Sequence, residues 1–305
     1  YGGLIGGLVQ LDTRTGSDTR TIGVQGFVPR PRLTSPGFGR LEGIFPRAYW
    51  SDQTAKGRLR HFVATEFNYE RIPVPGVTQG RGPDVVEKSG SAFARIDFQA
   101  TPRSELTFET FIFPSGTDSA GLSPRREPAA TARIRNKDSF AAVTSRYVFG
   151  ASSILTLRLG LLAHDARLTP ENGLTSRLSP DGWRDNWFAR VHRNATRYAA
   201  SALFERSLAA GTHTHDLGLQ ASFAARHLTG TVAETDIRVE DTLGRAVRTV
   251  TFGGPTEIEA RDRPVSMAVR DVWRLSPHVQ FDGGARLDYV SRYSGATPSL
   301  RGGPC

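Results

Sequence analysis

Long runs of strict period-two alternation constrain this chain more than any other feature. In "SAFARIDFQATPRSELTFETFIF", Ala94, Ile96, Phe98 and Ala100 alternate with Arg95, Asp97 and Gln99. A turn follows at 101–104. Leu106, Phe108, Thr110 and Ile112 then alternate with Glu105, Thr107 and Glu109. Successive side chains of a strand point to opposite faces, so this stretch reads as a β-hairpin with one apolar and one charged face. The pattern recurs. Leu155, Leu157, Leu159 and Leu161 oppose Thr156, Arg158 and Gly160. Leu217, Leu219, Ala221 and Phe223 oppose Asp216, Gly218, Gln220, Ser222 and, one step on, Arg226. Val279, Phe281, Ala285, Leu287 and Tyr289 oppose Gln280, Asp282, Arg286 and Asp288.

These strands run roughly 9 to 14 residues, against about 5 or 6 in ordinary globular sheets. A tilted strand that crosses a bilayer needs about 9 to 11. In a soluble sandwich the apolar face would meet a second sheet, with turns every 8 to 12 residues or so. In an outer-membrane barrel the apolar face meets lipid and the charged face lines a wet lumen. Strand length and full charges on the polar face together favour the barrel. The predicted fold is all-β, an antiparallel transmembrane β-barrel.

Composition narrows the alternatives. The 305 residues are 38% hydrophobic with mean hydropathy −0.34. No apolar run approaches the 18 or so residues of a membrane helix. The net charge is +9, nearly all of it from Arg. A nucleic-acid surface would cluster its basic residues; here they are spread along the chain, so no nucleic-acid partner is expected. The single cysteine, Cys305, gives no basis for a disulfide, a zinc site or a nucleophile. No catalytic motif such as Gly-x-Ser-x-Gly is present, no repeat of fixed period appears, and no enzyme activity or cofactor is expected.

Link lengths alternate. Short links are predicted at 101–104, 150–153 and 276–277, and long polar ones at 73–85, 115–138, 169–182 and 253–264, the bacterial barrel pattern. The long links at 115–138 and 169–182 lack alternation and are expected to be mobile and exposed to protease. One region breaks the rule: 193–196 and 209–212 read as consecutive short links, so either an outer loop is short there or one strand has been divided. Trp183 with Trp187, Tyr147 with Phe149, and Tyr289 with Tyr293 sit near expected strand ends, where interfacial aromatic girdles belong.

The opening "YGGLIGGLVQLDTRTG" is rich in glycine around a short strand at 8–13. It is similar to the end of the plug domain in TonB-dependent outer-membrane receptors, although its Val-Gln-Leu-Asp-Thr-Arg is less apolar than the usual plug strand. "GTHTHDLGLQASF" resembles that family's Gly-x-His-x-x-x-x-Gly strand start. "VSMAVRDVWRLSPHVQFDGGARLDYVSRY" resembles its Asp-x-Trp to Gly-x-Arg-x-Asp hairpin, here Asp271, Trp273, Gly284, Arg286 and Asp288. The likeness is to the large receptors with a carboxypeptidase-regulatory-like N-terminal domain. It implies that residues 1–16 end a plug, that 17–305 form part of a barrel with long outer loops, and that the chain is a fragment. Its roughly 13 candidate strands compare with 22 around a plugged lumen. It also implies outer-membrane lipid, the TonB energy-transducing complex acting through the missing plug, and a small-molecule or oligosaccharide cargo as partners, with localisation in the outer membrane.

The charged faces, represented by Arg95, Asp97, Glu109, Arg158, Arg226, Arg286 and Asp288, are read as lumen-facing networks that grip the plug. Attraction of an anionic cargo such as a metal chelate or a glycan is the functional alternative. His213 and His215 share a strand face and could meet a metal, but no third ligand is near in sequence; a polar strand start is preferred. His164-Asp165 is read as a solvated strand end. Transport reception of a scarce nutrient is the leading function. A passive porin or structural barrel is the alternative, and a soluble β-sandwich binding module ranks third. If the four leucines of 155–161 face lipid, Leu159→Arg should cost about 2–4 kcal/mol near mid-membrane. Equilibrium unfolding of the protein in bilayers should show that loss relative to Leu159→Ala; equal stability would reverse the facing.

Overall fold

The computed structural model describes residues 13–33, 38–77, 84–211, 213–276 and 279–297, with the side chains of 33, 38, 210 and 292–297 excepted. Its first strands are β1 (Thr21–Gln25), β2 (Arg30–Leu33), β3 (Phe38–Ile44) and β4 (Arg47–Thr54). The long strands β5 (Leu59–Ile72), β6 (Val85–Thr101), β7 (Ser104–Ala120), β8 (Ala132–Phe149) and β9 (Ser153–Pro170) follow. Short β10 (Ser176–Ser179) and β11 (Gly182–Arg184) precede β12 (Ala189–Ala210) and β13 (His213–Glu234). Short β14 (Ile237–Glu240) and β15 (Ala246–Val250) precede β16 (Thr256–Ser276) and β17 (Val279–Thr297). The only helical element among the described residues is a single 3₁₀ turn at Pro128–Ala130.

One antiparallel sheet runs in the order β1-β4-β5-β6-β7-β8-β9-β12-β13-β16-β17, with β2 and β3 attached beside β5. The register shows why this order holds. Reading across nine strands, Leu59, Phe98, Leu106, Ser145, Leu157, Ala202, Ala221, Met267 and Leu287 are successive partners. One residue along, the row is Arg60, Asp97, Thr107, Thr144, Arg158, Ser201, Ser222, Ser266 and Asp288. A slip of one residue would move a strand's polar set, charged or hydroxylated, to the apolar face, so the pleat pins the register.

No second layer covers the apolar row. Leu157, Leu159, Met267, Leu287 and Tyr289 all lie exposed, Leu159 at 62% and Leu287 at 71%. The few buried apolar side chains are mostly small, with Ala142 and Ala224 on the charged face. A contiguous apolar surface of this extent marks a lipid or partner contact rather than a water-facing surface. Tyr147 and Phe149 pack edge to face at 4.4 Å at the short-link end of β8, the predicted place.

Several expectations change. Residues 193–196 lie inside β12, which is one strand of 22 residues. The polar run Arg193-Asn194 imitates a turn because the strand there no longer alternates apolar with polar. With that strand undivided, short and long links alternate throughout. The link expected at 253–264 lies instead at 235–255, since β16 starts at Thr256 with charges on both faces. The link expected at 115–138 shortens to 121–131, because β7 and β8 pair out to Ala120 and Ala132. Trp183 and Trp187 lie in the 171–188 link at the long-link end rather than on wall strands. The side chain of Tyr293 and residues 1–12, the glycine-rich opening, lie outside the described residues.

The wall has eleven strands in line, and its end strands β1 and β17 do not pair with each other. Unpaired edges leave backbone groups without partners in hydrocarbon, at several kcal/mol each. The 305 residues refolded alone in detergent should therefore lack a compact, heat-resistant band on gel electrophoresis. Such a band would show that the edges close on each other.

Candidate functional site

The charged face is occupied at one end by the chain's own segment 13–20. Period two puts Arg95 and Asp97 of β6 on that face, and the β6–β7 register sets Arg95 against Glu109 and Asp97 against Thr107. Arg95 Nε donates to both Asp97 carboxylate oxygens at 3.0 Å. Its Nη1 donates to Thr13 Oγ1 at 2.6 Å and to the Thr13 carbonyl at 3.2 Å. Thr13 Oγ1 in turn donates to Glu109 Oε1 at 2.5 Å. Asp97 also accepts from Thr107 Oγ1 at 2.7 Å. Both carboxylates are buried. A buried carboxylate without partners would cost several kcal/mol, and here each is matched by a cation and a hydroxyl.

Arg158, two strands away, reaches within 3.7 Å of Glu109 Oε2. It can do so because Ala142 and Gly160 occupy the row beside Glu109 and leave the space open. The rest of segment 13–20 follows the same face. The Arg14 guanidinium sits over Tyr49 and Phe62 at 5.1 and 5.5 Å from the ring centroids. Ser17 N donates to Ser51 Oγ at 2.7 Å. Gly16 is pressed against β5, where an added Cβ would lie 2.5 Å from the His61 backbone nitrogen. Only glycine permits that approach.

The remaining predicted residues share this face but form a second group. Arg226 pairs with Asp262 at 3.2 Å. Arg286 Nε donates to Asp288 at 2.9 Å. Arg158, Arg226, Arg286 and Asp288 together line a hollow of about 440 Å³. Arg197 of β12 joins them, and sequence reasoning missed it because the strand was divided at 193–196.

The histidines have local partners. His213 donates from Nδ1 to the Leu275 carbonyl at 3.0 Å. His215 donates to Asp271 at 2.8 Å and stacks on Trp273 at 5.5 Å. His164 bonds Asp138 at 2.6 Å, and Asp165 bonds His192 at 2.8 Å. Among the described residues no three His, Cys, Asp or Glu side chains gather as a metal ligand set.

At the long-link end the connections fold on one another. Strands β10, β11, β14 and β15 make a second sheet, joined between links by the parallel pair β10–β14. The 121–131 link docks onto it. Trp183 N donates to the Arg125 carbonyl at 2.8 Å and Glu127 N to the Trp183 carbonyl at 3.2 Å. The Arg126 guanidinium lies 4.3 Å from the Trp187 ring centroid and 5.0 Å from that of Trp183. Phe188 stacks between the two tryptophans and Phe252. Arg177 clamps Asp185 through both carboxylate oxygens. Glu240 lies 3.0 Å from Arg238 and 3.7 Å from Arg177. Links at 121–131, 171–188 and 235–255 thus pack on one another as one cap.

The sequence matches no protein-family model and no curated protein. Solved structures do match. The pyoverdine outer-membrane receptor FpvA from Pseudomonas aeruginosa PAO1, bound to pyoverdine, superposes with a TM-score of 0.67 at 9% identity, over 92% of this chain and 42% of that one. The outer-membrane transporter YddB from Escherichia coli gives 0.60 at 11% identity, over 83% of this chain and 35% of that one. The RagAB peptide importer in its open-open state gives 0.59 at 8% identity, over 83% and 32%. The fold is that of an outer-membrane receptor barrel. The chain spans about two fifths or less of the length of these structures. The open sheet corresponds to part of such a wall.

The cap carries a pH signature. The Arg177 guanidinium hydrogen-bonded to Asp185 holds that carboxyl below the usual carboxylate range. A depressed folded-state pKa stabilises the fold above the unfolded value, about 3.9, and that contribution is lost as pH falls through the folded value. Fluorescence of Trp183 and Trp187 should stay constant from neutral pH to about 4 and change on further acidification. Asp185→Asn should show the altered emission at neutral pH. An identical titration in both proteins would remove Asp185 from the clamp.

Proposed function

We propose that this chain is part of an energised outer-membrane receptor that imports a scarce nutrient. The observation that carries this reading is a single sheet with two unlike faces. Its apolar face has no protein cover and suits outer-membrane lipid. Its charged face is bound by residues 13–20. On this reading the charged face is the lumen side, and Arg95, Asp97, Glu109 and Arg158 hold the exit of a plug that ends at residue 16. Residues 17–305 then form barrel wall and outer loops.

The chain works by binding and conduction, not by catalysis. Thr13 links the plug to the wall through three charge-assisted bonds, two from Arg95 and one to Glu109, so a pull on the plug from a periplasmic energy-transducing complex of the TonB type is felt first at Arg95 and Glu109. The folded cap sits where cargo would arrive. Among the similar structures, FpvA binds pyoverdine and RagAB is a peptide importer. These support a small iron chelate or a peptide as the cargo class; an oligosaccharide is proposed beside them on the charged face alone. A passive pore is the competing reading, and a wall face bound by a folded segment argues against it.

The two separate on energy dependence. Cells with and without the gene should be compared for uptake of labelled ferric chelates, peptides and oligosaccharides. Uptake of one of these should disappear on deletion and also stop when a protonophore collapses the proton gradient. Gene-dependent uptake that survives the protonophore would establish the passive pore.

A further inference from the structure

In the β12–β13 register Arg197 stands directly opposite Arg226. Both lie on the charged face. Like charges directly opposite on one sheet face are destabilising. Arg226 is relieved by Asp262 at 3.2 Å. Arg197 is exposed and makes no ion pair with any described residue. Arg158 and Arg286 complete the rim of the hollow of about 440 Å³. Arg158 lies 3.7 Å from Glu109 and Arg286 is engaged by Asp288, which leaves Arg197 as the one rim arginine without an ion pair among the described residues. The rim therefore carries more guanidinium charge than the chain itself neutralises.

The floor is suited to a close-lying solute. Gly160, Ala199 and Ala224 occupy the row between the arginine rows, and they present no bulk. Ser201, Ser222 and Ser266 fill the next row, with Ser222 and Ser266 bonded at 2.6 Å. Pro264 has no N–H to give the ladder. The β13–β16 pairing is interrupted beside it, at Ala224 and Ala225.

We propose that this hollow is a binding site for a small polyanionic solute bearing carboxylate or phosphate groups, held by Arg197 and Arg226 with Arg158 and Arg286 at the rim. The inference rests on the importer reading and refines its cargo towards anions. Guanidinium forks match both oxyanions bidentately, and a bound anion between Arg197 and Arg226 converts their repulsion into two attractions. The serine hydroxyls supply further donors to the solute's oxygens.

The test uses the protein purified from the outer membrane in detergent, with citrate and inorganic pyrophosphate as probes in titration calorimetry. At least one probe should bind. Arg197→Gln and Arg226→Gln should each weaken it by about tenfold or more, the worth of a charge-assisted hydrogen bond. Arg103→Gln, which removes the same charge at the 102–103 turn, should leave binding unchanged. Without probe, Arg197→Gln should melt no lower than the parent protein, since it removes a repulsion. The site is overturned if neither probe binds, if Arg197→Gln binds as the parent does, or if Arg103→Gln weakens binding equally. Tighter binding of an alternating Asp-Glu hexapeptide than of either probe would also overturn it, by assigning the arginines to an acidic polypeptide. Protonophore-insensitive uptake with anion binding intact would instead defeat the importer reading alone.

Discussion

The continuous antiparallel ladder is the constraint on which the rest of this structure depends. Each strand supplies backbone donors and acceptors that its two neighbours satisfy, so the pairing order holds the sheet together without a second layer. Once the ladder is fixed, alternation does the sorting. The row through Leu157 and Met267 is apolar and the row through Arg158 and Ser222 is polar, with only one residue of pleat between them. The two faces are thus opposite solvents separated by the thickness of a backbone. Side-chain packing contributes little to this arrangement, which is why the large apolar residues stay exposed while the buried ones are mostly alanines.

That economy makes the charged face informative. In a globular core, a buried carboxylate must be explained by its own packing layer. Here Asp97 and Glu109 are buried only because segment 13–20 and neighbouring arginines lie over them. The network spans three strands: Arg95 and Asp97 from one strand, Glu109 and Thr107 from the next, Arg158 from two strands further. No member is sequence-local to the segment it holds, so the grip exists only in the assembled wall. The small residues Ala142 and Gly160 matter as much as the charges, since a bulkier pair would screen Arg158 from Glu109.

How much of this was legible in the sequence follows from the range of each interaction. The facing of Leu155 through Leu161, and of Arg95, Asp97, Glu109, Arg226 and Arg286, could be read directly because alternation is a local code. Their partners could not, because register is set by turns and ladders tens of residues apart. The division of β12 at 193–196 arose where the strand leaves the apolar zone. There both faces are polar, the period vanishes, and Arg197 was lost with it. The second sheet was illegible for another reason. Its strands are only three to five residues long, and its central pairing is parallel and between different links. Trp183 and Trp187 looked like girdle residues because an aromatic pair near a strand end carries no information about height. Their role emerges only when Arg126, more than fifty residues earlier, is placed between their rings.

The two sheets answer opposite requirements. The wall needs uniform register over long strands, so its sequence tolerates variation so long as the period holds; alanine, serine and leucine serve interchangeably in one row. The cap has short strands and little backbone pairing, so it depends on particular side chains. Arg126 between two tryptophans, the Arg177 contact with Glu240 at 3.7 Å, and the close approach of Gly182 to the Arg125 carbonyl each join links that are distant in the chain. At Gly182 an added Cβ would lie 2.0 Å from that carbonyl oxygen, and φ is +134°, so no other residue can close the contact. Three links therefore meet at the long-link end, joined by Arg126, by Gly182 and by the Arg177–Glu240 contact.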